Sequence, residues 1–242
     1  MDLEPISYQT SGHSYTGFLA DGSGGARAPG VLVIHEGGGL TGHVKAVAAR
    51  LAEQFGLVAF AMDLFGAPSA AGLDDVARLR AIVQELRADV AELRARAAAA
   101  LAVLQGHPHV DPKRLAAIGY CFGGAAAIEL ARSGAPLAAV AGFHAGVLPG
   151  DDEAIRAKVL LCHGEADPVV PAAQIQAFVG GLSAAGVDWQ LHLYGGVGHS
   201  FTNSEIDAWN LPGFRYDAAA DARSWAALRQ LLGEVFPSAI RL

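Results

Sequence analysis

Residues 117–125 read Ala117-Ile118-Gly119-Tyr120-Cys121-Phe122-Gly123-Gly124-Ala125. A buried apolar strand here runs through Gly-x-Cys-x-Gly-Gly into a helix. The glycines have a steric role. A turn this sharp brings backbone against backbone, so a side chain at Gly119 or Gly123 would collide with neighbouring chain. Cys121 then projects at the N-terminus of the helix, where partial positive charge favours a thiolate. This makes Cys121 a candidate nucleophile. The plainer reading is a buried cysteine in a Gly-rich turn, and the rest of the chain weighs against it.

Two later segments supply partners. Val159-Leu160-Leu161-Cys162-His163 is an apolar strand, and the loop after it offers Asp167 just before Pro168. Leu191–Tyr194 leads into the Gly-rich loop Gly195-Gly196-Val197-Gly198, which offers His199. The order nucleophile, acid, base is that of α/β-hydrolases. Each residue follows a strand, at the carboxyl edge where open α/β sheets place their sites. His199 would exchange a proton with the thiol and then with the leaving group, while Asp167 fixes its tautomer. Glu165 and Asp188 are alternative acids.

Upstream, the run Val31–Ile34 stops at His35-Glu36-Gly37-Gly38-Gly39. A loop in this place supplies one oxyanion-hole amide, and the residue after the nucleophile supplies the other. The expected donors are the N–H groups of Gly37 and Phe122. Glu36 is unusual, because a carboxylate beside a thiol opposes its ionisation unless it takes the thiol proton. It controls the thiol, or it only bonds loop amides.

Around these motifs the pattern alternates. Strands are expected at Ile6–Gln9, Ser14–Ala20, Gly30–His35, Leu57–Leu64, Arg114–Gly119, Leu137–Phe143, Val159–His163 and Asp188–Tyr194. Helical spacing covers His43–Gln54, Leu73–Leu104 (two helices or one kinked helix), Gly123–Ser133, Ala172–Ala185 and Ala218–Val235. The expectation is an α/β fold: one domain over 1–242, a mostly parallel central sheet, and helices on both faces.

Composition narrows the function. Hydrophobic residues make up 52% of the 242 and charged residues 17%, so a sizeable core can form. The net charge of -7, with no Lys/Arg cluster, argues against nucleic acid or an anionic membrane as partner. No basic-then-apolar leader precedes the first strand, and no apolar run is long enough to span a bilayer. The two cysteines cannot form a disulfide framework, and a reducing cytoplasmic location is expected. His107 and His109 flank Pro108, but no sequence neighbour completes a metal set, so no metal is expected. Cys162 reads as a core residue and Trp225 as helix packing. Trp209 and Phe214 read equally as pocket wall or packing.

The chain resembles the dienelactone hydrolase family. The resemblance runs from His35-Glu36, through Val110-Asp111-Pro112 and Gly123-Gly124, to His163-Gly164-Glu165-Ala166-Asp167 and Gly198-His199-Ser200-Phe201. It implies a single-domain α/β-hydrolase fold with a triad of Cys121, Asp167 and His199. It further implies that Glu36 holds the resting thiol, that esters or lactones are cleaved, and that no cofactor is needed. One departure bears on substrate. Family members acting on carboxylate-bearing lactones carry Arg four residues after the histidine, and this chain has Asn203. One amide cannot replace a bidentate guanidinium, so neutral substrates are expected. The competing functions are a non-catalytic binding or thiol redox-sensing protein, and an acyltransferase.

Overall fold

The structure is a computed structural model describing residues 1–66, 76–237 and 239–240. One eight-stranded sheet organises it, in the order β1-β2-β4-β3-β5-β6-β7-β8. The strands are β1 (Glu4–Thr10), β2 (His13–Asp21), β3 (Ala28–Ile34), β4 (Val58–Met62), β5 (Val110–Tyr120), β6 (Ala139–Phe143), β7 (Lys158–Gly164) and β8 (Trp189–Tyr194). From β4 onward along the sheet every pairing is parallel, whereas β2 runs antiparallel to both β1 and β4. The β1–β2 hairpin closes tightly because Ser11 and Gly12 both take positive φ, 51° and 76°. That twist matches the flanking strands.

The helices are α1 (Gly42–Phe55), α2 (Val76–Ala88), α3 (Val90–Gly106), α4 (Phe122–Arg132), α5 (Ala172–Ala184) and α6 (Ala218–Val235). Alternate residues of β3 separate two cores. Val31 and Val33 pack with α1 and α6, while Leu32 and Ile34 pack with α3, α4 and α5. Helices therefore cover both faces, as the continuous apolar strands require.

The long helical stretch is broken, not kinked. Asp89 stops α2 and caps α3, its Oδ1 accepting from the Glu92 amide at 3.0 Å. The first part of the expected helix, residues 73–75, lies outside the described residues. Strand β5 begins at Val110, earlier than expected, because Ala28 pairs with Val110 across an irregularity before the regular ladder starts at Gly30. Trp225 is a packing residue: it stacks on Phe55, lies under Arg50, and donates to Gln54. No helix among the described residues is long and apolar enough to cross a membrane.

Candidate active site

Strand β5 delivers Cys121 to the carboxyl edge of the sheet. Its backbone is strained, with φ 51° and ψ -116°. Three hydrogen bonds hold the strain: Cys121 N–H to Phe143 O, and Gly124 and Gly146 N–H to Cys121 O. The glycine requirement is physical. A Cβ at Gly119 would lie 2.0 Å from Gly123 O, and one at Gly123 would lie 2.4 Å from the carbonyl oxygens of Ile34 and His35. A charged clamp fixes α4 from behind. Arg132 bonds Glu129, Asp152 and Leu148 O, and Arg94 reaches Glu129 from α3. Three of the four carboxylate oxygens of Glu129 and Asp152 thus pair with a guanidinium.

Asp167 and His199 meet Cys121. Asp167 Oδ2 lies 2.6 Å from His199 Nδ1, and His199 Nε2 lies 3.0 Å from Cys121 Sγ. Asp167 Oδ1 accepts from the Val169 and Val170 amides, which fixes the carboxylate. The alternative acids are occupied elsewhere: Glu165 accepts from Gly196 N–H and Asp188 pairs with Lys158. His199 is fully buried. Burial alone would lower its pKa, but the charges of Cys121 and Asp167 outweigh that and raise it to about 10. Burial likewise opposes the Asp167 charge, and the His199 hydrogen bond overrides it, so its pKa is lowered.

Glu36 enters from the loop after β3. His35 braces this loop. Leu64 N–H donates to His35 Nε2, so the proton sits on Nδ1, which donates to Glu36 O. Glu36 Oε2 accepts from Asn203 Nδ2 at 2.6 Å. Glu36 Oε1 is buried without a hydrogen-bond partner among the described residues. His43 and His144 flank the carboxylate at 3.8 and 3.9 Å. Burial and the neighbouring histidines hold His144 well below the ordinary imidazole range, so it is neutral. The Cys121 thiol is bonded to His199 rather than to Glu36 in this arrangement.

Cys121, Glu36, Gly37 and Phe122 share the wall of a cavity of about 290 Å³. The Gly37 and Phe122 amides have no protein partner among the described residues. Much of the remaining wall is apolar: Leu79 and Val83 of α2, Val169 and Val170, and Trp209 with Phe214. Trp209 takes the room that Gly38 leaves, since a Cβ there would come within 3.0 Å of its ring. Phe214 packs edge-on to the His199 ring, at 4.8 Å between centroids. Arg80 and Arg87 stand exposed at the rim. A larger cavity of about 750 Å³ lies across α2, against the β1–β2 hairpin, and does not reach the thiol. Sequence reasoning missed the α2 wall. Its signal was Val76, Leu79 and Val83 at helical spacing, on a helix whose Arg and Glu residues mark a solvated face.

The sequence matches the dienelactone hydrolase family over residues 16–236. The chain belongs to that family. Members of the dienelactone hydrolase family hydrolyse ester and lactone bonds, which makes this chain such a hydrolase. The solved structure named m3DLH is 44% identical, with a TM-score of 0.91 over 97% of this chain and 98% of that one. A dienelactone hydrolase-like promiscuous phosphotriesterase from metagenomic libraries is 40% identical, with a TM-score of 0.90 over 97% and 98% of the two chains. A protein of Bradyrhizobium sp., named "Probable 2-oxo-3-(5-oxofuran-2-ylidene)propanoate lactonase", is 28% identical over 86% of this chain and 87% of its own.

Proposed function

We propose that this dienelactone hydrolase family member cleaves esters or lactones through a thioester on Cys121. The observation that carries the reading is the chain Asp167–His199–Cys121, at 2.6 and 3.0 Å, opening into an apolar cavity. Cys121 Sγ attacks the substrate carbonyl carbon, and its proton resides on His199 Nε2. The Gly37 and Phe122 amides stabilise the resulting oxyanion. Collapse breaks the C–O bond, and the imidazolium gives its proton to the departing alkoxide. A water then attacks the thioester, giving its proton to His199, and the acid leaves as Sγ is restored. The causes of the His199 shift suit both halves. Among the influences raising its pKa, the charge of Cys121 is the largest. Acylation removes that charge, so His199 releases its proton more readily and becomes the base that water needs. The reaction uses no cofactor, and a reducing cytoplasmic setting suits the unpaired thiols. The test is mass spectrometry of a quenched reaction with an activated ester, where an acyl adduct should map to Cys121. An adduct elsewhere, or none during a burst, would sink the proposal.

Glu36 acts in this reading as the thiol's resting acceptor. Its buried Oε1 has no hydrogen-bond partner among the described residues, and Glu36 lines the same cavity as Cys121. Glu36→Gln should keep the fold and change the pH dependence of Cys121 alkylation, because an amide does not take the thiol proton. Superimposable profiles for the two proteins would reduce Glu36 to a structural residue.

Substrate charge is the other expectation. The Asn203 amide donates to Glu36, and among the described residues the only cations lining the cavity, Arg80 and Arg87, are exposed, so a buried carboxylate goes unpaired. Neutral esters and lactones should exceed anionic lactones in kcat/KM by roughly tenfold or more, since an unpaired buried charge costs over a kcal/mol. Preference for the anionic lactone that disappears in an Arg80→Ala, Arg87→Ala double variant would instead assign the gripping to the rim. A neutral phosphotriester belongs in the same panel, given the activity named for the relative.

A further inference from the structure

The histidines His107 and His109 lack a third ligand in the sequence, and the fold supplies one. Asp21, at the end of β2, lies beside the loop between α3 and β5. One carboxylate oxygen of Asp21 and one ring nitrogen from each histidine lie within 4.8 Å of one another, and all three residues are partly buried. Neighbouring ligands on a tetrahedral zinc ion, with bonds of about 2 Å, stand roughly 3.3 Å apart. The donor atoms would have to close by at most about 1.5 Å to reach that spacing. We infer that Asp21, His107 and His109 form a binding site for a divalent ion of the zinc class, separate from the catalytic cleft.

The donor chemistry selects the ion. Two imidazoles and one carboxylate are a borderline set, matched to zinc, cobalt or nickel rather than to calcium or magnesium. Water completes the coordination. The scaffold is already ordered. Asp21 pairs with Val58 in the sheet, and its Oδ1 accepts from Ser23 N–H. His109 O accepts from Ala28 N–H, His107 O accepts from Val110 N–H, and Pro108 stiffens the chain between them. Without an ion, His109 Nδ1 and Asp21 Oδ2 share a proton at 2.6 Å. Binding at Nδ1 separates the two atoms and moves the shared proton, through solvent, to His109 Nε2. The eleven residues of β5 lie between this site and Cys121, about 30 Å at the usual rise. The ion would therefore tie two loops at the far edge of the sheet and leave the chemistry untouched.

The test is calorimetric titration of zinc chloride into tag-free Cys121→Ala protein, because a thiolate–imidazole pair binds zinc itself. One ion per chain should bind, with a rise in melting temperature. His107→Ala and Asp21→Asn, each in that background, should weaken binding at least about tenfold, the usual effect of disturbing a ligand set. In otherwise wild-type protein the same substitutions should leave ester hydrolysis unchanged. Absence of binding by 100 μM zinc (roughly the weakest affinity worth calling a site) would overturn the inference. So would binding that either substitution leaves intact.

Discussion

Cys121→Ala is expected to lower ester and lactone turnover by roughly four to six orders of magnitude, as losses of a nucleophile in a coupled set do. The residual rate would come from the oxyanion amides and the cavity, which the substitution leaves in place. The fold should survive, since the side chain shrinks by one sulfur beside an open cavity. Steady-state rates against a chromogenic ester, with a melting curve as control, check both parts. Full activity in this variant would overturn the covalent mechanism. The same measurement separates the competing functions. A thiol sensor would lose oxidation chemistry and have no turnover to lose. An acyltransferase would show an adduct on Cys121 but a product ratio that follows the added acceptor.

Gly123→Ala should be among the most damaging small substitutions in the described residues. The new methyl carbon would lie 2.4 Å from two backbone oxygens, of Ile34 and His35. Neither is the movable end of a flexible side chain. Ile34 ends β3 and His35 is buried just after it, so moving them displaces the Glu36 loop. We expect a loss of roughly 3 kcal/mol or more of stability, together with activity. Gly37→Ala is the control, because its methyl carbon would sit 3.6 Å from Val83 in ordinary contact and its amide is kept. That variant should melt close to wild type in a denaturant titration. Equal midpoints for Gly123→Ala and wild type would mean that the turn relaxes, and that its glycines are not dictated by sterics.

The turn was legible in the sequence for that same reason. Close approach of backbone leaves a glycine in the text: a Cβ at Gly119 or Gly123 would meet backbone at 2.0 or 2.4 Å, and one at Gly124 would meet Ala145 Cβ at 2.3 Å. Asp167 and His199 were legible because a strand of parallel sheet must end near the site, so the residue after it has few places to go. Strand ends were less legible. Asp111-Pro112 looks like a turn, yet β5 runs through it where its pairing with β3 is irregular. Contacts between distant loops were not legible at all. Asn203 and Glu36 are 167 positions apart, and His109 and Asp21 are 88 apart. Nothing local in either member names the other. Asn203 drew notice only as a missing arginine, whereas the fold uses its amide to hold the Glu36 carboxylate at the wall of the cavity that Cys121 shares.

Cys162 has a use that its burial creates. It lies within β7, and the Tyr194 hydroxyl donates to its sulfur at 3.6 Å. Burial pushes its thiol pKa up to about 12. A disulfide reagent at neutral pH therefore reads Cys121 alone in the native protein, and both cysteines once the chain is unfolded. The ratio of the two readings gives the fraction of molecules with an intact Cys121 thiol. Any preparation of this enzyme carries its own internal standard, and rates can be expressed per competent centre rather than per milligram.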